Sequence, residues 1–240
     1  LSCDRLENKE ERVRALCRMG EVQQEELGDA DGAIAAFERV LTEEPQHAET
    51  LARLEIQYTE SGLWEQVLET LERRMALATD ADETVGLLCR QARVALDEIG
   101  HPLDAAVHYE QALELRPGSV DMAEALISIY DAEERHEEVV RIMDGMLEAD
   151  PPPERSGDYH VRLATIWSER FADEDKALHH LEAAVEVNPE DKRALWPLAR
   201  YYVQHETWTS AMPLLDVLAD LLTEEDETDL RATIHGHLAR

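Results

Sequence analysis

Arginine, histidine, cysteine and paired carboxylates are the side chains of this 240-residue sequence that could do chemistry. A metal ion needs several His, Cys or carboxylate groups converging from one face or one loop. Ten histidines are present, yet His179 and His180 are adjacent and His235 and His237 are two apart, so helical geometry sends each pair to different faces. No Cys-x-x-Cys and no His-Glu-x-x-His occurs, and no metal or other cofactor is expected. Cys3, Cys17 and Cys89 are an odd, sparse set rather than a disulfide framework, which points to a reducing, cytoplasmic setting. Catalysis finds no support either. There is no glycine-rich phosphate loop and no Gly-x-Ser-x-Gly elbow. Carboxylate pairs such as Glu133-Glu134 and Glu137-Glu138 read as solvated faces, so the expectation is a protein that is not an enzyme. Arginine is the group with a pattern: Arg18, Arg90 and Arg162 recur at intervals of 72 residues.

The elements that must carry these arginines follow from composition and periodicity. There are 54 acidic against 23 basic side chains, a formal net charge of -31. Such a balance repels phosphate backbones and anionic membrane surfaces, which excludes general nucleic-acid binding. The hydrophobic fraction of 44% is enough to build a core. No apolar run approaches the ~18–20 residues of a membrane span. Ala, Leu, Glu and Arg dominate, and these are strong helix formers.

Sliding the sequence by 72 residues aligns it with itself without gaps. Leu27-Gly28-Asp29 falls on Ile99-Gly100-His101 and on Phe171-Ala172-Asp173. Ala33 falls on Ala105 and Ala177, Pro45 on Pro117 and Pro189, Tyr58 on Tyr130 and Tyr202, and Trp64 on His136 and Trp208. Each cycle divides into two helical hairpins. Leu51, Leu54 and Tyr58 form one helix face, Ser61-Gly62 stops that helix, and Trp64, Val67, Leu68, Leu71 and Met75 form one face of its partner. A short turn between amphipathic helices makes them antiparallel. The odd hairpins carry one extra residue before the turn. Trp64, Trp167 and Trp208 take core positions. Pro197 and Pro213 sit inside predicted helices, where each removes a backbone donor.

These residues resemble the tetratricopeptide repeat. The match runs through Leu16, Met19-Gly20, Gly28, Ala33, Phe37 and Pro45 in the first hairpin, and through Leu88, Ala92, Gly100, Ala105, Tyr109 and Pro117 in the third. In the fifth it uses Leu163-Ala164, Trp167, Ala177, Leu181 and Pro189. The resemblance implies an all-α, right-handed α-solenoid. Six hairpins are expected over 11–46, 47–81, 82–118, 119–153, 154–190 and 191–223. Residues 1–10 would be the tail of a preceding helix, and 224–240 the first helix of a further repeat. Repeats cut at both ends suggest a piece of a larger, bacterial multi-repeat protein.

The resemblance also implies that the first helix of every hairpin lines a concave wall able to hold a peptide. In that register Arg14, Arg18, Arg53, Arg90, Arg93, Arg162, Trp196 and Arg200 face the groove. Guanidinium groups on such a wall could grip the carboxylates of an acidic protein segment. The competing reading is that Glu10–Arg14, Glu49–Arg53, Arg93–Asp97 and Asp158–Arg162 are i,i+4 pairs, each worth only ~0.2–0.5 kcal/mol on a solvated face. The functional expectation is a protein–protein interaction scaffold. The alternatives are a sensory module controlling an attached domain, and a rigid spacer in an envelope or motility assembly.

Overall fold

The computed structural model describes residues 8–221, and every described element is helical. The chain divides into two compact units, residues 1–125 and 126–240. The first holds α1 (Lys9–Glu25), α2 (Ala30–Glu43), α3 (Ala48–Glu60), α4 (Trp64–Met75), α5 (Ala81–Arg93) and α6 (Pro102–Leu115). The division falls within α7 (Val120–Ala132). The second unit continues with α8 (His136–Glu148), α9 (Pro153–Glu169), α10 (Glu174–Val187), α11 (Lys192–Gln204) and α12 (Trp208–Leu221). From α1 to α6, and again from α8 to α12, each helix packs against the next in sequence. Most of the tail expected over 1–10, Cys3, and the partial repeat expected over 224–240 with His235 and His237 lie outside the described residues.

Acidic caps start many of these helices. The carboxylates of Asp29, Asp80, Asp173 and Asp191 accept from the amides of Gly32, Glu83, Lys176 and Arg193 at 2.8–3.0 Å. Each satisfies a donor that the first helical turn leaves orphaned. Two kinds of turn then alternate. In the odd hairpins the amides of Asp29, His101 and Asp173 donate six residues back, to the carbonyls of Gln23, Ala95 and Trp167, at 2.8–2.9 Å. In the even hairpins Leu63, Arg135 and Thr207 donate five residues back, to Tyr58, Tyr130 and Tyr202, at 2.8–2.9 Å. The one-residue difference is the extra residue seen in the sequence. In the third hairpin it is absorbed as a π-helical stretch, Val94–Ile99. That stretch replaces the expected Arg93–Asp97 pair: Arg93 Nε instead donates to the Cys89 carbonyl at 3.3 Å. All six turns place one residue at positive φ. Glycine takes it at Gly28, Gly62 and Gly100, whereas Glu134, Ala172 and Glu206 adopt it against their Cβ atoms.

The first unit's core joins Phe37, Leu51, Leu54, Tyr58, Val67 and Leu71 to Leu87 and Val94 of the following hairpin. Trp64 packs against this cluster. Its counterpart Trp208 is 43% exposed, which corrects the expectation of a core tryptophan there. The positions equivalent to Leu87 and Val94, 231 and 238, lie outside the described residues. In the second unit, Ala164, Leu181, Ala184, Ala194 and Leu198 form one cluster and Leu195, Ala199, Leu215 and Leu218 the next. Pro197 and Pro213 are accommodated inside α11 and α12, which run past them.

Candidate peptide-binding site

Most of the predicted arginine row is engaged by the chain's own carboxylates. Arg53 on α3 reaches back to α1, with Nη2 3.2 Å from Glu21 and Nη1 3.7 Å from Glu25, and also meets Glu49 of its own helix at 3.4 Å. Arg90 on α5 pairs with Glu55 on α3 and donates to Thr59 Oγ1 at 3.3 Å. Arg162 on α9 pairs with Asp131 on α7, and burial pulls its pKa down. Arg193 on α11 lies 2.7 Å from Asp158 on α9 and 2.7 Å from Asp191. Those hydrogen bonds hold the Asp191 carboxyl below its usual range and the Arg193 guanidinium above its own. Each of these bridges joins the first helix of one hairpin to the first helix of the hairpin before it. Arg18, 68% exposed, lies 3.3 Å from Glu21.

Glu55 on α3 was not among the predicted groove residues. It is the hub of one bridge: its side chain is 5% exposed and pairs with both Arg74 and Arg90. A buried carboxylate needs such compensation, because desolvating an unpaired one costs several kcal/mol.

Arg14, Arg93 and Arg200 make no ion pair among the described residues. Arg14 lies with Cys17 and His47 in a shallow depression between the starts of α1 and α3. There Cys17 Sγ is 3.8 Å from Thr50 Oγ1, which is 2.9 Å from His47 Nδ1. Burial pushes the Cys17 thiol up, away from the thiolate that nucleophilic chemistry needs.

Arg200 lines a cleft of about 220 Å³ between α9, α10 and α11. Its apolar surface comes from Ala164, Ala177, Leu178, Leu181 and Pro197. Its polar lining comes from Thr165, Ser168, Glu169, Glu174, Arg193, Arg200, Tyr201 and Gln204. The Tyr201 ring stacks on His205, centroids 4.1 Å apart. The cleft therefore offers an apolar patch beside the Arg200 guanidinium, which makes no ion pair among the described residues, with Glu169 and Glu174 elsewhere on its rim. Trp196 does not line it and packs half-buried against the α11–α12 core. Of the lining residues, Arg200 was legible as a groove position; the cleft around it was not. Its signal in the sequence is Pro197, which stands where the first unit has Arg53.

Comparison with known proteins agrees with this architecture. Tetratricopeptide-repeat family models match residues 13–47 and 172–225. A TPR repeat-containing protein, YpiA of Bacillus subtilis, is 25% identical over 191 residues, covering 78% of this chain; the chain spans 43% of that relative's length. Similar solved structures include a MamA protein, 21% identical over 74% of this chain and 92% of that chain with a TM-score of 0.42. A tetratricopeptide repeat protein from Parabacteroides merdae is 16% identical over 94% of this chain and 85% of that chain with a TM-score of 0.43. The chain thus carries tetratricopeptide-repeat matches at residues 13–47 and 172–225, and the same helices and turns recur at 72-residue intervals between them.

Proposed function

We propose that this chain is a protein-interaction scaffold, not a catalyst, that binds an acidic peptide segment in the cleft between α9, α10 and α11. The observation that carries the reading is Arg200: it lines a cleft with an apolar patch and makes no ion pair among the described residues, whereas Arg18, Arg53, Arg90, Arg162 and Arg193 already have one. A ligand carboxylate meeting Arg200 would form a charge-assisted, bidentate contact. An aliphatic or aromatic neighbour on the peptide would cover Leu178, Leu181 and Pro197. The high negative charge elsewhere on the chain repels acidic segments from other surfaces, so the cleft supplies selectivity as well as affinity.

Selection of a random peptide library on the full chain tests this. Enriched peptides should carry an Asp or Glu beside an apolar residue. Arg200→Glu should weaken them by roughly tenfold or more, while reversing Arg18, Arg90 and Arg162 together should leave affinity within a few-fold. Enriched peptides that bind the Arg200→Glu variant as well as the parent would refute the assignment.

A further inference from the structure

Outside the cleft, packing of α9 against α10 brings two histidines together. His160 on α9 and His180 on α10 face each other across the hairpin, Nδ1 to Nδ1 at 3.0 Å, with ring centroids 5.3 Å apart. Both rings are half-buried. One Nδ1 must donate and the other accept, so the contact holds one shared proton and exists only when the accepting imidazole is neutral. A second proton would convert a hydrogen bond into two facing N–H groups on like charges.

The charges that act on the pair are positive on every side. His180 feels His160, His179 on its own helix, with ring centroids 5.4 Å apart, and Lys176 one turn earlier; His160 feels His179. Lys176 is held over the Trp167 ring, 3.7 Å from its centroid, and near Asp173 at 3.7 Å. From α8, Asp144 interacts with Glu148 and with Lys176. Desolvation acts in the same direction as these cations: burial lowers His160, and lowers His180 to about 4 from 6.5.

We infer that the His160–His180 pair is an acid-sensitive latch that holds α9 against α10 while the accepting ring is uncharged and releases them when that ring protonates. The sign follows from linkage. The folded rings hold fewer protons than the unfolded chain between about 4 and 6.5, so stability is complete above 6.5 and is lost as pH falls through that window. Since α9 and α10 form two walls of the cleft, the latch would also release the peptide; that consequence, unlike the latch, rests on the binding reading above.

Amide hydrogen exchange on the full chain, corrected for intrinsic rates, tests the latch. Between pH 7.5 and pH 5, protection of α9 and α10 should fall by about 30-fold, the ratio that pKa values of 6.5 and about 4 give for one histidine. Helices α1–α4, whose one histidine is His47, should lose far less. His160→Asn and His180→Asn keep a donor and acceptor near Nδ1 without titrating, and should remove most of the fall. Histidine NMR of the parent chain needs no variant: both rings should titrate below the ordinary 6.5. Equal protection at both pH values, or rings that titrate at 6.5, would overturn the latch. Peptide affinity measured on the same samples separates the two claims: a latch that opens without loss of peptide refutes the binding site, not the latch.

Discussion

The space between α1, α2 and α3 in the first unit is the same stretch of repeat as the cleft between α9, α10 and α11 in the second, 144 residues on, yet one is filled and the other open. In the first, Phe37 is fully buried and lies so close to Gly20 that a Cβ there would stand 2.5 Å from the ring. Arg53 spans from α3 to Glu21 and Glu25 on α1. In the second, the equivalent residues are Leu181, Ala164, Pro197, Thr165 and Glu169, and all five line the cleft. A phenyl ring has become a smaller side chain, and a long guanidinium arm has become a proline that reaches nowhere. The backbone plan is shared. What differs is which side chains bridge adjacent first helices: the cleft opens where the counterpart of the Arg53 bridge is missing.

Substitutions that move one unit toward the other should show this, and the largest effect belongs to the most buried group. Phe37→Ala should destabilise the first unit by about 3–5 kcal/mol, whereas Leu181→Ala, at the wall of a cleft, should cost about 2 kcal/mol. Denaturant unfolding followed separately in each unit checks both. Next comes the buried carboxylate. Glu55→Ala should cost about 2 kcal/mol, because Arg74 and Arg90 lose their partner; both are partly exposed and can turn to water, which limits the loss. Placing the carboxylate at the buried equivalent with Ala199→Glu should be worse than its removal from position 55. Gly20→Ala should cost roughly 1–3 kcal/mol by pressing on Phe37. The smallest change is at a turn: Ala172→Gly should stabilise the second unit by about 0.5–1 kcal/mol, since Ala172 sits at φ 51° where its relatives are Gly28 and Gly100. Thermal melts resolve that sign.

The fold class could be read from the sequence because repetition multiplies weak signals. One glycine after an apolar stripe means little, but Gly28 and Gly100 in register, with Ala172 forced into the same left-handed turn, specify a recurring helix stop. The extra residue of the odd hairpins was countable in the sequence, although its structural form, the π-helical Val94–Ile99, was not. The site was less legible. Family register put Arg18, Arg53, Arg90 and Arg162 among the groove-facing residues, but register says nothing about whether a carboxylate on the preceding hairpin is near enough to pair. Asp158 could have met Arg162 on its own helix; it meets Arg193 on the next first helix, and Arg162 meets Asp131. Such choices depend on distances between helices, which a one-dimensional period does not encode. The histidine pair escaped notice for the same reason: the sequence shows only the neighbours His179 and His180, and packing brings His160 of α9 to His180.

Backbone and methyl NMR of the full chain, titrated with a library-selected acidic peptide, locates where the peptide docks. Shifts should concentrate at Ala164, Ala177, Leu178, Leu181 and the residues around Arg200, with the equivalent first-unit positions Gly20, Ala33, Ile34 and Phe37 unmoved. Grafting the first unit's bridge with Thr165→Glu and Pro197→Arg should abolish the shifts while the helices remain formed. Shifts centred on Arg18 and Arg90, or undiminished binding by the grafted chain, would contradict the cleft as the binding site.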